Sequence, residues 1–253
     1  MKASHKDIAL GLLGTLLILA LWELAARSGL ADPAVFPAPT AAIGEALRRL
    51  TPGEILHHVA VSLGRIATGF VLGAVAGIAL AIAAAWYGGL GAFVRPLIEV
   101  LRPIPPLAWI PMAIVWFGLG EPSKIFVIFL GAFFPVLTNT WRGVTAIDPV
   151  LLRAAQTMDI RGARLLTTVM LPAALPDIAT GLRVGWGLSF GVLVAAELIA
   201  AESGMGFLIN NARQLGEVGI VIFGIMLIGA TNLLTDWGIA RGIRYLLGGW
   251  HAA

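Results

Sequence analysis

Six long apolar runs constrain this chain more than any other feature: Ile8–Ala26, Val59–Trp86, Leu107–Gly118, Ser123–Trp141, Ala173–Ala201 and Gly219–Trp237. A helix that crosses a bilayer needs about 20 mainly apolar residues. Five runs approach or exceed that length. The third is short and carries Pro111, and it reaches span length only when extended back through a Pro-rich step. The expected fold is an all-α integral membrane protein with six transmembrane helices forming one unit. Composition agrees: charged residues make up 12% of the chain, against about 25% in soluble domains.

Other classes drop out on composition. The absence of cysteine excludes disulfides, thiolate metal sites and thiol nucleophiles. The net charge of +3 comes from dispersed Lys and Arg with no basic run among aromatics, which argues against nucleic acid as a partner. Lys2 and Lys6 precede the first run as in a signal peptide, but the run exceeds an h-region of about 7–15 residues. It therefore reads as a retained span.

Loop charge sets the expected orientation. With the N-terminus inside, Lys2, Lys6, Arg95, Arg102, Arg142, Arg153, Arg161, Arg164, Arg241 and Arg244 fall on the cytoplasmic side. Arg27, Arg48, Arg49, Lys124 and Arg213 fall outside, Arg65 is ambiguous, and Arg183 lies just within the fifth span.

Several local features carry expectations of their own. Pro33 to Leu56 reads as an outer loop with a short amphipathic helix, N-capped by Thr40, with Ile43, Leu47 and Leu50 on one face at the membrane interface. His57 and His58 are adjacent and do not share a helix face, so packing is favoured over metal binding. Gly69, Gly73 and Gly77 form a small-residue stripe that should pack closely on another helix, within one chain or between two. Gly181, Gly185, Gly187 and Gly191 in the fifth span allow close packing or leave room for a pathway.

Pro103, Pro105, Pro106 and Pro111 remove backbone donors, so regular helix cannot run through Arg102 to Pro106. Carbonyls freed in a membrane must be buried in protein or line a wet cavity. Pro105, Pro106 and Trp109 are therefore candidates for a gate or pathway wall, beside the plainer reading of a kinked turn. Arg183 and Glu197 are costly inside a span and are functional candidates by default. They lie fourteen positions apart, about 21 Å along a helix, and cannot pair with each other. For Glu197 a paired structural charge stands ahead of substrate contact. Glu23 and Asp236 are expected near span ends.

The longest hydrophilic stretch between apolar runs is Arg153 to Pro172, RAAQTMDIRGARLLTTVMLP. Asp148-Pro149 is a good helix start, with Asp as N-cap and Pro at the first helical position. Val150, Ala154, Thr157 and Met158 approximate one face. Gly162 should separate this helix from a second run, Ala163 to Met170, ahead of Leu171-Pro172. Read without family likeness, the three arginines suit an ordinary positive-inside loop in contact with lipid headgroups.

This stretch resembles the signature loop of permease subunits in bacterial ABC importers. Ala154, Ala155, Leu171 and Pro172 match the family pattern, and Val169 takes the place of its Ile. Arg153 stands where the family usually has Glu, and Asp159 where it has Gly. Arg102 to Phe126, Thr180 to Gly187 and Leu193 to Ala200 resemble the permeases for taurine, aliphatic sulfonates and nitrate. The likeness covers roughly Ser62 to Trp237, and the Arg before Ala-Ala-Gln is similar to the taurine branch.

The resemblance implies a type I ABC importer fold with a cytoplasmic coupling helix at about 148–172. Arg153, Ala154, Ala155, Gln156, Asp159, Arg161, Gly162 and Arg164 would face an ATPase. It implies a homodimer, two ATPase subunits carrying ATP and Mg, and a periplasmic or lipid-anchored substrate-binding protein. No cofactor would be bound by this chain. The implied place is the bacterial inner membrane, with both termini cytoplasmic. The implied layout is residues 1–58 as first span and outer loop, 59–240 as transport core and 241–253 as a cytoplasmic tail. The substrate would be taurine or another alkanesulfonate, with nitrate, bicarbonate or another small anion behind it.

The chain has no P-loop sequence, so it has no P-loop route to nucleotide phosphates. Two other classes remain as alternatives. An ion-coupled secondary transporter predicts inverted repeats and a polar midplane site, neither visible here. An intramembrane enzyme lacks a credible catalytic set.

Overall fold

A computed structural model of the chain describes residues 5–29 and 32–247, and every regular element among them is helical. Lys2, used above for orientation, lies outside the described residues, as do the side chains of Lys6 and Arg244. In order, the helices are α1 (His5–Arg27), α2 (Pro39–Arg49), α3 (Pro52–Trp86), α4 (Gly88–Leu101), α5 (Ile110–Phe117) and α6 (Glu121–Thr145). They continue with α7 (Pro149–Thr157), α8 (Gly162–Leu165), α9 (Leu171–Ala200), α10 (Met205–Gln214) and α11 (Val218–Leu247). Among the described residues, four helical stretches are long and apolar enough to span a membrane, and a bent pair makes a fifth. The 23-residue α1 exposes Leu13, Leu16, Leu17 and Leu21, as a lipid-facing helix does.

Helix α6 is the centre of the bundle, packed on α3 along one side and on α9 along another. The glycine stripe of α3 explains the first contact. A Cβ added at Gly73 would sit 2.6 Å from the Phe129 carbonyl oxygen, and one at Gly69 would sit 2.6 Å from Ile128 Cγ2. The stripe therefore packs within the chain, which decides an alternative left open above. Gly181 and Gly185 bring α9 against α6 in the same way, around Val136. Gly187 and Gly191 face open space, with no atom within 4 Å of an added Cβ.

The third run reaches span length only together with α4, in line with its expected extension back through the prolines. A 3-10 turn at Pro106–Trp109 runs into α5, and this stretch meets α4 at 86°. The prolines prevent α4 and α5 from joining as one straight helix. Thr40 is not the cap of α2; Ala38 holds that position and Pro39 is the first helical residue. The α2 terminus is served instead from α1, where Glu23 accepts from Thr40 N–H at 3.1 Å and from its hydroxyl at 2.6 Å. The buried face of α2 is Pro39, Ala42 and Ala46 against α11, while Ile43 and Leu47 point outward.

The last helix runs past the expected Trp237 to Leu247. Helix α3 begins earlier than expected, at Pro52, because Thr51 and Glu54 form a reciprocal capping box.

Gly73→Ala should destabilise the detergent-solubilised protein by about 1–3 kcal/mol through overpacking. Gly187→Ala should change stability little, and thermal melts of the two variants check the difference.

Candidate functional site

Two polar regions occupy opposite ends of the α6/α9 pair. One lies at the start of α6 and the end of α9. Here Glu197, 1% exposed, is surrounded by donors. Ser62 Oγ donates to its carboxylate at 2.8 and 2.9 Å, Arg65 Nη1 donates at 2.7 Å, and Gly206 N–H donates at 2.9 Å. Ser62 Oγ also accepts from Met205 N–H at 2.8 Å, and His58 Nδ1 accepts from Gly204 N–H at 3.1 Å. The free N–H groups that begin α10 are thus satisfied by α3 and α9, with a carboxylate at the positive end of the helix dipole.

Arg65 carries the cluster outward. Its Nε and Nη2 form a two-pronged ion pair with Glu121, both at 2.6 Å, and Nη1 also donates to the Ser203 carbonyl at 2.5 Å. Lys124 Nζ reaches Glu121 at 3.3 Å. The arrangement ties α3, α6, α9 and α10 together and gives the buried charges near-balanced partners. Gly204 and Gly206 make it possible. A Cβ at Gly206 would lie 2.6 Å from Glu197 Cβ, and one at Gly204 would collide with the Glu197 carboxylate. Gly204 also holds a φ of +117°, which side chains disfavour.

The sequence singles out Glu197 but not its partners Ser62, Arg65 and Gly206, nor Glu121 and Ser203, which hold Arg65. The available signal was that Arg65, Glu121, Lys124 and Glu197 all fall at the same expected membrane side of the second, fourth and fifth apolar runs.

The second region is the stretch 148–172. Asp148 caps α7, accepting from Val150 N–H at 2.8 Å, and Pro149 is the first helical residue. Ala155 is buried, while Arg153, Ala154, Gln156 and Met158 are exposed. The turn after α7 places Asp159 at φ +57° and Gly162 at φ +55°. That explains the glycine usual at position 159 of the family pattern: the backbone there is left-handed, where glycine is unstrained and Asp is tolerated better than most residues. Arg161 pairs with Asp159 at 3.1 Å, both well exposed, and Arg153 and Arg164 have no ion-pair partner among the described residues.

Gly162 begins a new helix, as expected, but Leu171-Pro172 does not interrupt it. The run is continuous from Gly162 to Ala200 over 39 residues. Residues Leu166–Met170 adopt a π-helical turn, and Leu171 N–H bonds the Leu166 carbonyl. The wider turn accommodates Pro172, which has no N–H to offer.

The five pathway candidates are not gathered into one site. Pro106 lines a cavity of about 240 Å³ between the α4–α5 break, α6 and α9. The Pro105 carbonyl accepts from Ala108 N–H at 2.9 Å, and Trp109 lies tilted at 41° to Trp116 with centroids 6.2 Å apart. Arg183 pairs with Asp236 of α11 at 2.8 Å. Glu197 lies at the far end, in the cluster described above.

Removing Glu197 as Glu197→Ala should cost about 3–5 kcal/mol, because a buried Arg65 loses its partner. Gly206→Ala should weaken the same cluster, and heating followed by size-exclusion detection of the folded fraction checks both.

Comparison with known proteins gives a consistent result. The family model described as binding-protein-dependent transport system inner membrane component matches residues 69–241. The taurine transport system permease protein TauC of Escherichia coli is 37% identical, over 94% of this chain and 89% of its own length. The bicarbonate transport system permease protein CmpB of Synechococcus elongatus is 36% identical, over 95% of this chain and 90% of its own. The chain is a multi-pass membrane protein that belongs to the family of binding-protein-dependent transport system inner membrane components, the permeases of ABC transporters.

Proposed function

We propose that this chain forms the membrane pathway of an importer for a small anion, driven by separate ATPase subunits that dock on α7. The observation that carries this reading is the exposed surface of α7. Val150, Leu151 and Met158 are 60%, 45% and 74% exposed, and the unpaired Arg153 lies beside them. An apolar and cationic surface on a short capped helix suits a protein groove with acidic edges. The chain's lack of a P-loop gives such a partner a reason to exist.

In this reading Arg153, Ala154, Gln156, Asp159, Arg161 and Arg164 form the docking edge, while Ala155 and Gly162 shape it. The loop-charge bias puts α7 and both termini in the cytoplasm, and the Glu197 cluster on the side of a soluble binding protein. The open face of α9 at Gly187 and Gly191 supports close packing of a second copy. A sulfonate such as taurine is the favoured substrate and bicarbonate the next, on likeness to the two named relatives.

In proteoliposomes holding permease, ATPase and binding protein, loaded binding protein should raise ATP hydrolysis. Arg153→Glu should reduce that stimulation several-fold while leaving insertion and yield near normal. Full stimulation in this variant would remove Arg153 from the docking edge. Uptake without any ATPase subunit would overturn the importer reading. Asp159→Gly should retain coupling, whereas Asp159→Val, strained at positive φ by about 1–2 kcal/mol, should lower it.

A further inference from the structure

Arg102 stands at the end of α4, where the chain breaks before the 3-10 turn. The other cations that share a cavity wall with it are paired: Arg95 with Glu99 at 3.0 Å and Arg142 with Asp177 at 2.7 Å. Arg102 has no carboxylate partner among the described residues. It also borders two separate cavities. One, of about 450 Å³, is lined by Arg95, Glu99, Trp141, Arg142 and Thr145 toward the α7 end of α6. The other, of about 240 Å³, reaches along α6 and α9 to Leu130, Gly131 and Leu188. Arg102 and Thr138 are the two residues common to both linings.

In the smaller cavity Arg102 is the sole charged side chain, and the walls are otherwise apolar except for Thr138 and Asn139. Asn139 donates one amide N–H to the Pro135 carbonyl at 2.8 Å, which leaves a second N–H for a ligand. A guanidinium offers a planar fork that matches sulfonate or carboxylate oxygens.

We propose that Arg102, with Thr138 and Asn139, forms an anion-binding step where the two cavities meet, selecting a small sulfonate or carboxylate on its way between the middle of the bundle and the α7 end. The assignment of this step to transport rests on the importer reading above. The charge selectivity of the cavity does not.

The chain has no cysteine, so Thr138→Cys places a single thiol in the shared wall. In membranes carrying the assembled complex, that thiol is reacted with the anionic sulfonatoethyl methanethiosulfonate and with its cationic trimethylammonioethyl counterpart. The anionic reagent should react preferentially. Adding Arg102→Gln should lower the anionic-to-cationic rate ratio by on the order of ten-fold, and Arg102→Lys should retain most of it. An unchanged ratio in Arg102→Gln, or a thiol that reacts with neither reagent, would overturn the proposal. A phosphate headgroup occupying Arg102 would show as a thiol that favours the cationic reagent until Arg102 is replaced, and this too would overturn it. ATPase stimulation by loaded binding protein, measured on membranes carrying the unsubstituted complex, separates the two ideas. Normal stimulation with an unchanged ratio sinks the anion site alone, whereas absent stimulation with a shifted ratio sinks the importer reading and keeps the site.

Discussion

The close approach of α3, α6 and α9 is the constraint on which the rest of this molecule depends. In a bilayer, apolar side chains gain nothing by leaving lipid for protein, so helices associate through van der Waals fit and polar contacts. Gly69, Gly73 and Gly77 on one side of α6, and Gly181 and Gly185 on the other, let backbones meet where any side chain would intervene. With those three helices fixed, both ends of α6 hold defined positions. The Glu197 cluster can then be assembled from α3, α9 and α10 with hydrogen-bond geometry good enough to offset burial of its charges.

The two ends differ in how firmly they are held. At the Glu197 end, buried ion pairs and donated backbone N–H groups join four helices. At the other end, α7 stands on the π-helical turn at Leu166–Met170 and leaves most of its own surface uncovered. The continuous helix from Gly162 to Ala200 connects them. A displacement applied at α7 therefore has a stiff route to the far end, passing the cavity beside Pro106. The broken geometry of α4 and α5 sits alongside that route, where prolines remove the hydrogen bonds that would otherwise make a rigid span.

Much of this was legible in the sequence. Apolar run length identified four of the spans, α3, α6, α9 and α11, because bilayer thickness imposes it directly. The Asp148-Pro149 start of α7 was legible because capping chemistry is local. The partners of Glu197 were not, since an ion pair among α3, α6 and α9 depends on rotations that no short pattern encodes. Thr40 misled for a related reason: it looks like a cap, but Glu23 from another helix takes that role. The extent of α4 was missed because Pro96 and Arg95 interrupt its apolar pattern, although a proline within the helix costs less where neighbouring helices and water re-satisfy the backbone. The meaning of position 159 needed the backbone angle, which the letter Asp does not announce.

The account stands or falls on what touches α7. A photoreactive residue at Met158, in the complete complex in its native membrane, reads this directly. The account predicts a major adduct with an ATPase subunit, with a yield that changes between nucleotide-free and ATP-bound states. Adducts confined to lipid or to this chain itself, equal in both states, would contradict it.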